Sequence, residues 1–344
     1  MVDPSFYEYG FNIMVSFLEK RHQYLRHGID FNQDRCLEIG ALVDPILHRQ
    51  EGNVFYADHL STEELKKQFA WDQKFDFDRL VDVDFVWDNH RPLKECVSDS
   101  FDYVVASHVG EHVPNLIGWI DQITQVLTSN GQLRLVLPDG RYSFDMKRQP
   151  SKLSDLLAAW MKKAYCPQTH LVLDFALNKV DDQLVEEMHR RYVKDFDASD
   201  LPSQFPFQEV LQWGERTLDP THYEDVHCWV LSLNLLAKFM IILTENDILN
   251  VACAGWHEID PPRSYEFMVF MTPETDKMKR VNSWEEVYLQ TKTNSGLSHS
   301  QDLEVITQLQ QETIQLKEEL RSMYASSSWR ITAPLRAIAK RFKK

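Results

Sequence analysis

The chain has 344 residues, 43% apolar and 12% aromatic, which is ample for a buried core and excludes wholesale disorder. Its formal net charge of -15 argues against a general nucleic-acid binder, which needs a basic face to neutralise phosphates. Five scattered cysteines with no C-x-x-C pair argue against a disulfide scaffold or zinc ribbon and point to reduced thiols in a cytosolic protein.

The N-terminus has no basic region followed by an apolar run, so no secretory signal is expected. No stretch approaches about 18 uninterrupted apolar residues, so no membrane-spanning helix is expected either. From Pro4 to Arg26, Phe11, Met14, Val15, Leu18 and Leu25 recur at helical spacing, and residues 1–30 are expected to form a helical cap. Short apolar runs then alternate with helical stretches. Strands are expected at Arg35–Ile39, Asn53–Ala57, Arg79–Val83, Asp102–Ala106 and Gln132–Leu137. Helices are expected at Thr62–Phe69, with Ser61 as N-cap, and at Leu116–Leu127, closed by Ser129-Asn130-Gly131. That rhythm predicts an α/β fold with a mostly parallel sheet, its core spanning residues 31–141.

The alternation stops over residues 142–228, which read as a helical insertion or lid. Helices are expected at Ser151–Lys163 and Asp181–Val193, followed by a loop at Asp195–Phe207. Residues 229–272 are expected to complete the sheet with an antiparallel hairpin of Asp247–Trp256 and Tyr265–Met271. A polar linker is expected at 273–300, then a C-terminal segment at 301–344. In that segment Ile306, Leu309, Thr313, Leu316, Leu320 and Met323 form a short a/d seam, suited to docking on its own domain, a homodimer or a partner.

Acids close several strands. Glu38 precedes Gly40 at the end of the first, Asp58 ends the second, and Asp84 and Phe85 follow the third. The fourth runs into Ser107-His108-Val109-Gly110-Glu111-His112-Val113. In order and spacing, residues 33 to 140 resemble the class I S-adenosylmethionine-dependent methyltransferase family, and the Ser107–Val113 stretch followed by Leu127 and Gly131 is the most specific part. The resemblance implies a Rossmann-like sheet with a reversed last strand and S-adenosylmethionine as cofactor. It places Glu38 and Gly40 at the methionine moiety, Asp58 at the ribose, Asp84 and Phe85 at the adenine, and Ser107 or His108 at the sulfonium. The family's loop carries two or three glycines, whereas Gly40 is followed here by Ala41-Leu42-Val43-Asp44-Pro45. The same lack of a G-x-G-x-x-G run disfavours a dinucleotide dehydrogenase.

The acceptor is expected beyond the carboxyl ends of the strands, with Glu111, His112, Asp139 and His227 as catalytic candidates and Arg141 nearby. His108 to His112 also spells H-x-x-E-H, but Gly110 interrupts it and a strand precedes it, so no metal is expected. The dense Tyr223–Trp229 segment suits sugar recognition or a lid hinge. The string Ser328-Trp329-Arg330-Ile331-Thr332-Ala333-Pro334-Leu335-Arg336 resembles the C-terminal element of some bacterial surface-polysaccharide glycosyltransferases and methyltransferases. Six cations and no acid from Trp329 to Lys344, interleaved with apolar residues, suit an anionic membrane surface at the cytoplasmic face. The expected function is O-methylation of a sugar or glycan in surface-polysaccharide assembly, in the cytoplasm or peripherally at the inner face of the membrane. The alternative is an inactive methyltransferase-fold protein that docks a glycosyltransferase through its C-terminal helix.

Overall fold

The structure, a computed structural model, describes residues 19–88, 91–191, 198–258 and 265–292. Residues 1–18 of the expected helical cap, the expected Ile306–Met323 seam and the basic tail lie outside the described residues. The described residues through Leu289 cluster as one compact unit.

Seven strands form one sheet: β1 (Cys36–Ile39), β2 (Val54–Asp58), β3 (Phe85–Val86), β4 (Phe101–Ser107), β5 (Leu127–Pro138), β6 (Val251–Glu258) and β7 (Glu266–Pro273). Their order is β3-β2-β1-β4-β5-β7-β6, with β1 to β5 parallel and β7 antiparallel to both β5 and β6. This is the Rossmann-like α/β sheet with a reversed last strand that the sequence predicts. Register sorts the side chains by face. Leu37, Val104, Leu133 and Met271 lie opposite one another across four strands and join the core that also holds the apolar sides of α4 (Leu116–Thr124) and α9 (Leu233–Glu245). On the other face, Cys36, Val105, Val136 and Met268 pack with Leu25, Ile46 and Leu47. Leu25 comes from α1, described over residues 19–26. The buried Arg134 of β5 donates to the carbonyls of Leu25 and His27 (2.7 and 2.9 Å), tying the end of that helix to the sheet.

Local signals account for most of the remaining helices. α2 (Thr62–Gln68) has Ser61 and Glu64 in a reciprocal capping box. α3 (Leu93–Cys96) is a single turn, and α4 is capped by the Asn115 side chain, which accepts from the Gly118 amide. The insertion holds α5 (Leu153–Lys162), α6 (Thr169–Asn178), α7 (Asp182–Arg191) and α8 (Phe207–Arg216). The sequence reading anticipates α5 and α7 but not α6 or α8.

Three expectations are corrected. The third strand is not Arg79–Val83 but the two-residue β3 that follows it. The Asp84 carboxylate accepts from the Tyr56 amide (2.8 Å) and two Arg49 nitrogens, so a side chain satisfies the edge of β2 before ladder pairing begins at Phe85. Ser129–Gly131 does not cap a helix but lies inside β5, which begins at Leu127 opposite Phe101. The stretch 273–300 contains α10 (Lys277–Lys292) rather than only linker. Trp284 on that helix is fully buried and donates Nε1–H to the Val251 carbonyl at 3.0 Å. Among the described residues no helix is long and apolar enough to cross a membrane.

Candidate active site

Strand order reverses between β1 and β4, and ligands of open α/β sheets bind outside the carboxyl ends of the strands at such a switch point. A cleft of about 680 Å³ opens there, lined by Gly40, Asp58, His108 and His112 and, from the insertion side, by Tyr165, Cys166, Thr221, Tyr223 and Asp225. Gly40 turns the chain at φ 72°, and a Cβ on it would lie 2.6 Å from Val109 Cγ2, so the backbone there must be bare.

The loop after Gly40 solves its missing glycines in its own way. Leu42 adopts a left-handed φ of 47° without being glycine, and it lines the cleft. Glu38 does not line the cleft. Its carboxylate, 2% exposed, accepts from the amides of Ile46 (2.9 Å) and Leu47 (2.8 Å) and holds the loop against its own strand. Burial pushes Glu38 up to about 7, against the pull of those two donors. Its expected contact with the methionine moiety therefore gives way to a structural one.

Asp58 ends β2, lines the cleft and is 6% exposed. Its Oδ1 accepts from the His59 amide at 2.7 Å and meets His59 Nδ1 at 2.7 Å, and no described residue engages Oδ2. Asp84 and Phe85, expected at the adenine, do not line the cleft. Asp84 is held by Arg49, and Phe85 packs between the rings of Phe55 and Phe101. Trp87 and Asp88 line it instead, with Trp87 stacked on Trp119 at 6.1 Å. The frame is displaced because β3 starts late. Ser107 accepts from Arg21 at 3.4 Å, outside the cleft lining.

β4 ends at Ser107, and His108 takes the left-handed conformation (φ 54°), an uncommon placement for a non-glycine residue and one that clusters at functional sites. Its Nε2 lies 2.9 Å from Glu266 and its Nδ1 3.3 Å from Glu111. Burial alone would lower its pKa, but the two flanking carboxylates outweigh it and raise it to about 9.

Residues 226–231 lie alongside the turn that follows His108. Cys228 donates its amide to the Glu111 carbonyl (2.7 Å), Trp229 its indole to the Val113 carbonyl (2.7 Å), and Gly140 its amide to the Leu231 carbonyl (2.7 Å). Gly140 is needed for that approach, since a Cβ would meet Val230 Cγ1 at 2.4 Å. This pairing carries His227 to Glu111 and His112. The two rings meet edge to face at 4.7 Å, and His227 Nε2 lies 3.9 Å from Glu111. Each Nδ1 is held by its own carboxylate: His227 by Asp145 at 2.6 Å, His112 by Asp225 at 2.7 Å. Asp145 is fully buried; burial would raise its pKa, but His227 and Arg148 hold it below the usual range. His112 is raised, its burial offset by Asp225 and Glu111. Glu111, 1% exposed, has no hydrogen-bond partner of sound geometry on either oxygen among the described residues.

Of the catalytic candidates, Glu111, His112 and His227 therefore converge. Asp139 does not join them: it is closed in a bidentate pair with Arg141 (2.9 and 2.5 Å), and Arg141 also reaches Glu258. Sequence reasoning missed Asp145 and Asp225, although each stands in a dense polar-aromatic run, Arg141–Asp145 and Tyr223–Trp229. No helix carries the H-x-x-E-H string, whose residues 109–113 form a turn.

Neither a protein-family model nor a curated protein matches this sequence. Among solved structures, the chain is similar to an S-adenosylmethionine-dependent methyltransferase from Mesorhizobium loti (9% identity, 74% of this chain and 96% of that one, TM-score 0.37). It is also similar to magnesium protoporphyrin IX methyltransferase from Synechocystis PCC 6803 with bound SAM (8%, 76% and 80%, TM-score 0.34). A third is a Rhodobacter sphaeroides protein named as a Zn-dependent alcohol dehydrogenase (14%, 74% and 89%, TM-score 0.39). Likenesses this distant leave the chemistry to the residues.

Proposed function

We propose that this chain is an S-adenosylmethionine-dependent methyltransferase acting on a hydroxyl of a sugar or glycan. The observation that carries this reading is the cleft at the β1/β4 switch point, with the bare backbone of Gly40 on one strand end and the buried, half-engaged carboxylate of Asp58 on the next. The residues fit the cofactor. Asp58 Oδ2 is left to accept from ribose hydroxyls, Trp87 and Asp88 on the cleft lining are the candidates for reading the adenine, and Gly40 admits close approach of the aminoacyl part. The cofactor supplies an electrophilic methyl group. The protein supplies alignment of the acceptor oxygen, which accounts for most of the acceleration of such a transfer.

The acceptor side is polar and aromatic. Tyr165, Thr221, Tyr223 and Asp225 from the insertion form the far wall of the cleft, a composition that suits a ring with several hydroxyls. The histidine–carboxylate cluster reaches that wall through His112, giving the hydroxyl proton a nearby destination. The surface-polysaccharide setting, a glycosyltransferase or homodimer partner and contact with anionic membrane rest on the sequence of residues 301–344.

Calorimetric titration with S-adenosylmethionine, followed by transfer of labelled methyl from it to a panel of nucleotide sugars and oligosaccharides, tests the reading. Binding and acceptor-dependent label transfer are expected. No heat at millimolar cofactor would overturn the enzyme reading and favour the inactive docking protein.

A further inference from the structure

We infer that Glu111, His112 and His227 form a binding site for a divalent first-row transition-metal ion at the buried edge of the cleft. One donor atom from each residue lies within 4.8 Å of the other two. Ligands bound at about 2.1 Å stand about 3.0–4.2 Å apart in tetrahedral or octahedral geometry, so side-chain shifts of well under an ångström would close the set on an ion. His227 Nε2 to Glu111 Oε1, at 3.9 Å, already falls in that range.

Three further observations separate this cluster from an ordinary ion-pair network. Glu111 is almost wholly buried, yet neither of its oxygens accepts a sound hydrogen bond among the described residues. The neighbouring His108, 3.3 Å away, offsets the charge and holds the Glu111 pKa below its ordinary value, so the group is a ready anion whose oxygens still lack a direct ligand of sound geometry, which an ion would supply. Each histidine also has Nδ1 tied to a separate aspartate, Asp145 or Asp225, at 2.6 and 2.7 Å. That arrangement leaves Nε2 as the coordinating nitrogen and fixes both rings, as outer-sphere carboxylates do around bound metals. Finally, the two rings stand nearly perpendicular (85°) and come from distant segments that a buried backbone pairing holds together. His108, the other histidine of H-x-x-E-H, is not in the set; its Nε2 is engaged by Glu266 and its Nδ1 faces Glu111 Oε1 at 3.3 Å, beside the proposed ligands.

Two imidazoles and one carboxylate suit Zn²⁺, Mn²⁺ or Fe²⁺ better than Mg²⁺ or Ca²⁺, which favour all-oxygen shells. Three protein ligands leave coordination positions open, and His112 places them beside the cleft. Their use, holding an acceptor hydroxyl and lowering its pKa in place of proton uptake by His112, rests on the methyl-transfer reading; the metal site does not.

The test uses the full chain stripped with chelator and titrated with Zn²⁺, Mn²⁺ and Co²⁺, with S-adenosylmethionine titrated in parallel. One equivalent is expected to bind, with Co²⁺ giving visible d–d bands and no intense thiolate charge-transfer absorption. Zn²⁺ is expected to raise the wild-type unfolding temperature. His112→Gln, at a partly exposed position, should weaken binding by more than about 100-fold while the fold is retained, and Glu111→Gln should do the same. Cofactor binding without a stoichiometric ion, or an ion indifferent to both substitutions, would overturn the metal site. An ion bound by a chain that ignores S-adenosylmethionine would leave the site standing and overturn its use in methyl transfer.

Discussion

Asp58→Asn is the most direct probe of the cleft, because it keeps the shape of the side chain and removes only its charge. The carboxylate is 6% exposed, so the charge acts at low screening on whatever lies in the cleft. One oxygen is occupied by His59, at 2.7 Å from both its amide and its ring, and an asparagine oxygen can keep the amide contact. The other oxygen is the one left for ligand hydroxyls. A hydrogen bond to a charged group contributes about 1.5–3 kcal/mol, so the dissociation constant for S-adenosylmethionine should rise roughly 10- to 150-fold. Folding should survive the change at a modest cost. The asparagine keeps the His59 amide contact and the His59 ring is half-exposed, so the loss is expected to stay within about 1.5–3 kcal/mol, the scale of one charged hydrogen bond. His59 supplies an internal check, because its pKa is raised chiefly by the hydrogen bond to Asp58 and should fall in the variant, readable by NMR titration. Calorimetry with the cofactor and denaturant unfolding, both near pH 7.5, are the assays. An unchanged dissociation constant in a variant that folds normally, with the His59 shift seen, would refute the assignment of Asp58 to the ribose.

Other substitutions test how the site is held. Gly140→Ala should cost about 1–3 kcal/mol by overpacking against Val230, and Val230→Ala in the same chain should restore part of it; additive costs in denaturant unfolding would count against the close approach. Trp284→Ala should cost about 3–5 kcal/mol, since the ring is fully buried and its Nε1–H is paired; a loss under 1 kcal/mol would return α10 to the status of a linker. Glu38 has a folded-state pKa raised by burial to about 7, so its native form binds a proton more tightly than the unfolded chain does. Its contribution to stability should therefore fall as pH rises from about 4.5 to 7, by no more than about 3 kcal/mol. Glu38→Gln should lack that dependence. Equal pH slopes for the two proteins in denaturant titrations would place the Glu38 pKa near its ordinary value.

Much of the fold was legible because its signals are local. The apolar runs at β1, β2 and β4, the Ser61–Glu64 capping box and the ordered acids at Glu38, Asp58 and Asp84 together point to a parallel sheet with a ligand at its strand ends. Periodicity and caps act within one or two turns, so one chain segment displays them whole. The third strand was misplaced because its pairing depends on a side chain, Asp84, reaching Arg49 and the Tyr56 amide. α10 read as linker because its pattern is mainly polar, and only the tertiary structure shows Trp284 reaching the core.

The site divides in the same way. Gly40 and Asp58, both on the cleft lining, could be named from the sequence because each stands at a strand end. The sequence listed Glu111, His112 and His227 too, but as separate candidates together with Asp139. Only the tertiary structure shows which of them meet. Cys228 and Trp229 bonding to the Glu111 and Val113 carbonyls bring His227 to the other two, while Arg141 closes Asp139 off. Residue type and spacing tell what a segment can do, but which segments meet depends on packing between residues more than a hundred positions apart, and no local pattern records that.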